Sequence, residues 1–104
     1  IVFPRETGPA TAQYAISGAF AGISIDGTVG LDFAREQLQS HCTVQGNLDP
    51  AVLVAGGAAM EKAAQIILDE LGGGPFVFNL RHGLVPQTPP EHVARLVALV
   101  RSAR

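Results

Sequence analysis

The chain has 104 residues, of which 47% are hydrophobic and 15% are charged, and its formal net charge is −2. High apolar content with low charge argues against a disordered protein, and the scattered basic residues form no footprint for nucleic acid. No apolar run reaches the length of a membrane span, and no secretory signal is visible. A single cysteine, Cys42, excludes an internal disulfide and fits a reducing compartment. We therefore expect a cytoplasmic protein without nucleic-acid or membrane partners.

Strands and helices alternate along the predicted chain. Each strand is short and apolar, as expected for strands buried on both faces. Because the chain begins inside a predicted strand, we expect it to be a piece of something longer. The predicted strands cover residues 1–4, 21–26, 42–45 and 76–80, and the helices between them cover residues 9–18, 30–39 and 60–71.

The third and fourth helices have the clearest boundaries. An apolar stripe marks the third helix, and a glycine run with Pro75 ends it. For the fourth helix, Thr88 fits the N-cap, Pro89 the first helical position and Glu91 the reciprocal capping partner. The stripe of the third helix consists of Met60, Ala64, Ile67, Leu68 and Leu71.

The order of elements predicts an α/β fold made of four βα units. One helix between successive strands implies parallel pairing through right-handed crossovers. Two architectures fit: half of a (βα)8 TIM barrel, or a small open doubly wound sheet. The four helices look alike and none begins with a glycine fingerprint, so the pattern favours the barrel.

Polar residues follow the predicted strands, where active sites of parallel α/β proteins are built. Each has an alternative structural explanation. Asp26 could cap the next helix, Asp49 could belong to a turn, Asn79 could satisfy loop backbone, and His82 could only hydrogen-bond a carbonyl. The strand-end candidates are Arg5, Glu6, Asp26, Gln45, Asn47, Asp49, Asn79, Arg81 and His82.

Other patterns for catalytic or metal sites are weak. His41 and Cys42 lie at the start of a strand, away from the expected site, and His92 is expected to be solvated on a helix surface. The histidines and the cysteine lack the spacings of metal ligands, and no nucleophile elbow is present. Residues 72–74 are a glycine run between a helix and a strand, the wrong order for a phosphate loop.

With these residues in place, the chain resembles the C-terminal part of the uroporphyrinogen decarboxylase family. Residues 44–50, VQGNLDP, match the family segment LQGNLDP. Residues 82–86 with 88–93, HGLVP and TPPEHV, match HGILPDTPPENV, and the glycine run with residues 78–80 matches a third segment. Residues 1–4 and 25–28 match more loosely. The resemblance covers essentially all of the chain.

The resemblance implies that residues 1–104 form the C-terminal half of a (βα)8 barrel. The family removes carbon dioxide from the acetate side chains of a tetrapyrrole, in porphyrin and heme biosynthesis, without metal or cofactor. His82 matches the site histidine, which implies a catalytic hydrogen-bond or proton donor. Substrate-binding roles fall on Arg5, Asp26, Gln45, Asn47, Asn79 and Arg81. The arginine-rich segment and catalytic aspartate of the family lie in the half that is not in this chain.

Two positions depart from the family pattern. Arg81 stands where the family has glycine, and Gly27 stands where it usually has tryptophan. These departures keep a non-catalytic half-barrel or binding module as an alternative. A cobamide-dependent methyltransferase relative is a further alternative, but the zinc-binding cysteines that it needs do not follow residues 1–4 or 76–80. We expect the isolated 104 residues to be inactive and to form a homodimer through open strand edges.

Overall fold

Three parallel strands form the sheet of the computed structural model, which describes residues 1–4, 6–81 and 86–102. Strand β1 is Gly22–Ser24, β2 is Thr43–Leu48 and β3 is Phe76–Leu80. Their order is β1-β2-β3, so the middle strand of the sheet is also the middle one in the chain. Ser24 lies opposite Gln45, and Gln45 lies opposite Val77. The α/β class with parallel pairing is therefore present, with three strands in the described part of the chain.

The strand predicted at residues 1–4 is reduced to a single parallel bridge. Val2 N donates to the Gly22 carbonyl at 3.1 Å, and Ser24 N donates to the Val2 carbonyl at 2.7 Å. Pro4 has no backbone N–H to continue the ladder. The first of the four predicted βα units is thus a bridge followed by a short helical segment.

The helices lie where the pattern places them, with differences at their ends. A 3-10 turn, Gly8–Ala10, leads into α1, Thr11–Ile16. Helix α2, Leu31–Phe33, continues as a π-helix over Ala34–Leu38. The region after β2 holds two helices, α3 and α4, rather than one. Their bounds are Pro50–Ala55 for α3, Gly57–Leu71 for α4 and Pro90–Ser102 for α5.

Helix α3 was not predicted, and its two ends explain why the chain forms a separate helix there. Asp49 is its N-cap, with Oδ1 accepting from Ala51 N at 2.9 Å, and Pro50 takes the first helical position. Gly56 ends it with a φ of 65°. Asp49 is therefore a helix cap as well as part of a turn. Helix α5 also begins with a proline, one residue later than predicted.

The core lies between the sheet and the helices, and α4 provides its largest contribution. Met60, Ala64, Ile67 and Leu71 of the predicted stripe are all buried, whereas Leu68 is half-buried. Burying a side chain of Leu, Ile or Met size contributes about 1.5–3 kcal/mol. From the sheet the core receives Ile23, Val44, Leu48 and Leu80, and Ile25 joins them directly after β1.

Strand β3 is covered on one face only. Phe76, Phe78 and Leu80 pack on or in the core, whereas Val77 and Asn79 are exposed. Alternation along a strand places these two sets on opposite faces. In this chain β3 is therefore buried on one face, and its second face is open.

The turn that leads into β3 is bracketed by one side chain. Gln39 Nε2 donates to the Leu71 carbonyl at 2.8 Å and to the Pro75 carbonyl at 3.3 Å. These two carbonyls flank the glycine run of residues 72–74. The amide thus fixes the path of the turn at the end of the sheet remote from the predicted site.

Within the described ranges, no helix is long and apolar enough to cross a membrane.

Candidate functional site

Three of the predicted site residues meet at the carboxyl edge of the sheet. Asn47 Nδ2 donates to the Asp26 carbonyl at 3.1 Å. Arg81 Nε donates to the Asn47 carbonyl at 3.0 Å, and Arg81 N donates to the Leu48 carbonyl at 3.0 Å. These contacts arise because the carboxyl ends of parallel strands lie at the same edge. Asp26, Asn47 and Arg81 therefore form one connected cluster across all three strands.

The Asp26 carboxylate organises two loops of this edge. Its side chain is buried, and Oδ2 accepts from Glu6 N at 2.7 Å. Oδ1 accepts from Thr28 N at 2.9 Å and from Thr28 Oγ1 at 2.6 Å. The N-cap position of α2 is Gly30, so the alternative in which Asp26 caps the next helix is wrong. The carboxylate instead joins the segment after Pro4 to the loop after β1.

Arg81 lies across this edge and is weakly paired. Its Nη1 is 3.5 Å from Asp49 Oδ2, and the two side chains are 35% and 41% exposed. Ion pairs that exposed contribute little, because water competes for both charges. A Cβ atom built on Gly27 would lie 3.1 Å from Arg81 Nη1 and 3.2 Å from its Cζ. The two positions that depart from the resembled pattern are thus neighbours in the fold.

A cleft lies beside the cluster. Its volume is about 400 Å³, within the range of small-molecule sites. Asn47, Asp49 and Arg81 provide its polar lining. Its apolar lining includes residues of α3 and α4, namely Val52, Ala63, Ile66 and Ile67.

Other predicted site residues lie outside this cleft or outside the described part of the chain. Asn79 is the register partner of Asn47, but it is exposed, and its Oδ1 accepts from Leu80 N at 2.9 Å. Gln45 Nε2 is 3.5 Å from Ser24 Oγ on the neighbouring strand. Arg5 and His82 fall outside the described residues.

The cysteine lies at the opposite end of the sheet from this cluster. Cys42 precedes β2 and is buried, with Sγ 3.8 Å from the Leu38 carbonyl. Burial raises the pKa of the Cys42 thiol, because a thiolate would lose its hydration. Among the residues described, no group of three histidine, cysteine or acidic side chains is placed to hold a metal ion.

The expectation that His92 is solvated is wrong. The ring is half-buried, and Nδ1 is 2.7 Å from the Leu53 carbonyl. A Cβ atom on Gly56 would lie 2.4 Å from His92 Cε1. The imidazole therefore fills the space left by a glycine with positive φ and joins α5 to the end of α3.

Sequence reasoning missed Thr28 as a partner of the cluster and missed the pairing of Arg81 with Asp49. Thr28 Oγ1 both donates to Asp26 Oδ1 and lies 3.1 Å from Gly8 N, from which it accepts. An Asp-x-Thr spacing is a recognisable signal for such a turn. The Arg81–Asp49 pairing had a weaker signal, since the two residues directly follow neighbouring parallel strands.

Comparison with known proteins identifies the family. The family model for uroporphyrinogen decarboxylase matches residues 1–103. Uroporphyrinogen decarboxylase of Rhodospirillum rubrum is 51% identical over 104 residues, covering 100% of this chain and 30% of that protein. The enzymes of Mesorhizobium japonicum and Granulibacter bethesdensis are 47% and 43% identical, over 99% and 98% of this chain and 30% of each relative.

The match is complete for this chain and partial for the relatives. The chain spans about 30% of the length of these curated relatives. The parallel α/β sheet is consistent with a TIM-barrel family, and the matched region includes the whole cluster at its carboxyl edge. The chain belongs to the uroporphyrinogen decarboxylase family.

Proposed function

We propose that the 104 residues are part of a longer protein, here called the parent, that decarboxylates uroporphyrinogen. The observation that carries this proposal is the family match over residues 1–103. Relatives named uroporphyrinogen decarboxylase that are up to 51% identical support it further. The reaction would release carbon dioxide from acetate side chains of the tetrapyrrole, as a carboxy-lyase of heme biosynthesis.

The sheet is proposed to be one sector of a (βα)8 barrel, in the C-terminal part of the parent. The uncovered face of β3 supports the proposal that the sheet is part of a larger barrel, since Val77 and Asn79 are exposed there. Closed barrels remove such open surfaces and edges. In the parent, the remaining strands would cover this face and bring the missing arginine-rich segment and aspartate to the same edge.

The chemistry requires a site that stabilises a cation and holds several carboxylates. Protonation of a pyrrole carbon gives a cationic ring. The electron pair of the breaking carbon–carbon bond then flows into that ring as carbon dioxide leaves. We assign His82 as the hydrogen-bond or proton donor, acting without metal or cofactor. Arginines suit substrate carboxylates because their N–H groups bind in pairs, which assigns Arg5 and Arg81 to binding.

The amides and Asp26 are assigned to the walls of the site. Asn47 donates to the Asp26 carbonyl, so its amide holds two strand ends together. The Asp26 carboxylate already accepts from Glu6 and Thr28, which supports a positioning contribution to substrate binding. Gln45 and Asn79 would line the cavity on the face of the sheet opposite the core.

Turnover by the purified parent tests this proposal. The substrate is uroporphyrinogen under anaerobic conditions, and carboxylate loss is followed by chromatography of the oxidised porphyrins. We expect stepwise loss of carboxylates down to the four-carboxylate product. His82→Gln should lower kcat by roughly 10²–10⁴-fold, the range for removal of a positioned proton donor.

The matched control is His41→Gln, since His41 is exposed and adjacent to Cys42 at the other end of the sheet. It should leave kcat and KM unchanged. An inactive wild-type parent would refute the decarboxylase proposal. An active parent in which His82→Gln retains full kcat would refute the assignment of His82 alone.

A further inference from the structure

Gly27 and Arg81 form a single steric unit at the carboxyl edge of the sheet. We propose that the Arg81 guanidinium is a fixed cation that binds one carboxylate of the substrate, and that Gly27 is the positioning residue on which it rests. The carboxylate ligand rests on the proposed function, whereas the steric coupling of the two residues stands on geometry alone.

The absence of a side chain at residue 27 is what allows this position of the guanidinium. A Cβ atom on Gly27 would meet Nη1, Cζ and Nε of Arg81 at 3.1, 3.2 and 3.4 Å. The guanidinium therefore lies against the space where that atom would be. Alanine would require a shift of a few tenths of an ångström, and a larger side chain would displace the guanidinium from its hydrogen bond with Asn47.

Two further contacts hold the guanidinium in its orientation. Arg81 Nε donates to the Asn47 carbonyl at 3.0 Å, and Nη1 is 3.5 Å from Asp49 Oδ2. Nη2 has no hydrogen-bond partner within residues 1–4, 6–81 and 86–102. A planar guanidinium held on one side can offer its remaining N–H groups to a carboxylate with little loss of entropy.

The placement of this cation also fits its surroundings. Asp49 is 41% exposed and Arg81 is 35% exposed, so their pairing is weak and a second carboxylate can compete for the guanidinium. Both residues line the 400 Å³ cleft with Gly27 and Asn47. The cleft could therefore accept a carboxylate-bearing arm of the substrate beside the strand ends.

The sequence departures agree with this coupling. The resembled pattern has a large residue at position 27 and glycine at position 81, whereas this chain has glycine and arginine. Because the two residues are adjacent, the loss of a side chain at position 27 and the gain of one at position 81 affect the same space. In this chain the guanidinium lies in the space beside Gly27 and adds a positive charge to it.

A double-mutant cycle in the parent tests the coupling. The four proteins are wild type, Gly27→Trp, Arg81→Gly and the double variant, and each is melted thermally and assayed for KM and kcat. Gly27→Trp alone should lower the melting temperature. Adding Arg81→Gly to that variant should raise the melting temperature again. Each KM is expressed as a ratio to that of wild type. The ratio for the double variant should differ by roughly tenfold from the product of the ratios for the two single variants. Gly27→Ala is the milder member if the tryptophan variant does not fold.

Two further variants separate charge from packing. Arg81→Lys keeps the charge but loses the planar fork, so KM should rise less than in Arg81→Gly while kcat changes little. Arg95→Met is the matched control, because Arg95 also pairs with one carboxylate, Glu61, but on the exposed surface of α5. It should leave KM unchanged.

The outcomes separate the two proposals. Additive melting temperatures across the cycle would overturn the Gly27–Arg81 unit whether or not the parent is active. Coupled melting temperatures with an Arg81→Gly KM equal to that of wild type would overturn the carboxylate-binding role. If the parent has no turnover, the dissociation constant for uroporphyrin replaces KM, and unchanged affinity in Arg81→Gly refutes the role in the same way.

Discussion

His92 Nδ1 lies 2.7 Å from the carbonyl oxygen of Leu53. This contact joins α5 to the last turn of α3, where the Leu53 carbonyl is near the helix end. The ring also packs against Gly56, which has no side chain to obstruct it. A residue on the last helix thus stabilises the connection between α3 and α4.

Removing this imidazole should destabilise the fold without affecting the site chemistry directly. His92→Ala deletes the hydrogen bond and opens a gap beside Gly56, which should lower the free energy of unfolding by about 1–3 kcal/mol. Urea denaturation of the parent is the measurement. His41→Ala, at an exposed position, should change the midpoint by less than about 0.5 kcal/mol. Equal effects of the two substitutions would contradict the assigned contact.

A side chain at Gly56 should be as damaging as the loss of His92. Gly56→Ala places a Cβ 2.4 Å from His92 Cε1 at a backbone φ of 65°, so both clash and backbone strain oppose it. Gly57→Ala is the matched control, because it has a similar φ of 61° but nothing within 4 Å of its Cβ. We expect Gly56→Ala to lower the melting temperature more than Gly57→Ala. The reverse order would exclude the ring contact as the cause.

The Asp26 carboxylate should matter for both stability and catalysis. Asp26→Ala leaves Glu6 N and Thr28 N without their acceptor, which should cost about 1–3 kcal/mol of unfolding free energy. Because the two loops flank the proposed site, KM should rise as well. Asp69→Ala is the control, since Asp69 is exposed and, among the residues that the structure describes, accepts a hydrogen bond only from Gln65. Wild-type stability in Asp26→Ala would show that the loops do not depend on the carboxylate.

The thiol of Cys42 should react slowly with thiol reagents in the folded protein, and it should make the free energy of unfolding depend on pH. Its pKa is raised by burial, so the unfolded chain loses this proton at a lower pH than the folded one. Stability is therefore retained below the ordinary thiol pKa of about 8.5 and falls as pH rises above it. Cys42→Ala should flatten that part of the curve, measured by urea denaturation between pH 7 and 10. Rapid labelling of the folded protein by a thiol reagent at pH 7 would be inconsistent with the burial.

The isolated 104 residues should self-associate and show no decarboxylation. Val77 is 44% exposed on the open face of β3, and Val97 is 43% exposed on α5. Both β3 and the Val2 bridge lie at sheet edges, which attract another chain. Sedimentation equilibrium at micromolar concentration should give a dimer. A monodisperse monomer, or turnover of uroporphyrinogen by the isolated chain, would contradict this prediction.

The reliable part of the sequence reasoning was the part set by periodicity and capping. The stripe of α4, the short β3 and the proline that opens α5 are local signals, and the structure has these elements. Strand β2 was predicted to end at Gln45 but runs to Leu48. Glycine and asparagine resemble loop residues in isolation, and pairing with β3 on one side keeps them in the ladder.

The rest depended on contacts between distant residues. Arg81 and Gly27 are far apart in the chain, and no local sequence pattern predicts that they are adjacent in the fold. The same holds for His92 and the Leu53 carbonyl. The π-helix over Ala34–Leu38 has no signal in its composition. The candidate site could be predicted as a set of strand ends, but its hydrogen-bonding pattern required the packed structure.

The hydrogen bonds of Gln39 on either side of the glycine run determine where β3 begins. Its amide reaches the carbonyls of Leu71 and Pro75 together, so the number of residues between them is restricted. An insertion of one residue there would advance β3 by one position against β2. The apolar set Phe76, Phe78 and Leu80 would then turn toward the open face, and Val77 and Asn79 would enter the core. The length of the loop at one end of the sheet thus decides which residues of β3 lie at the carboxyl edge.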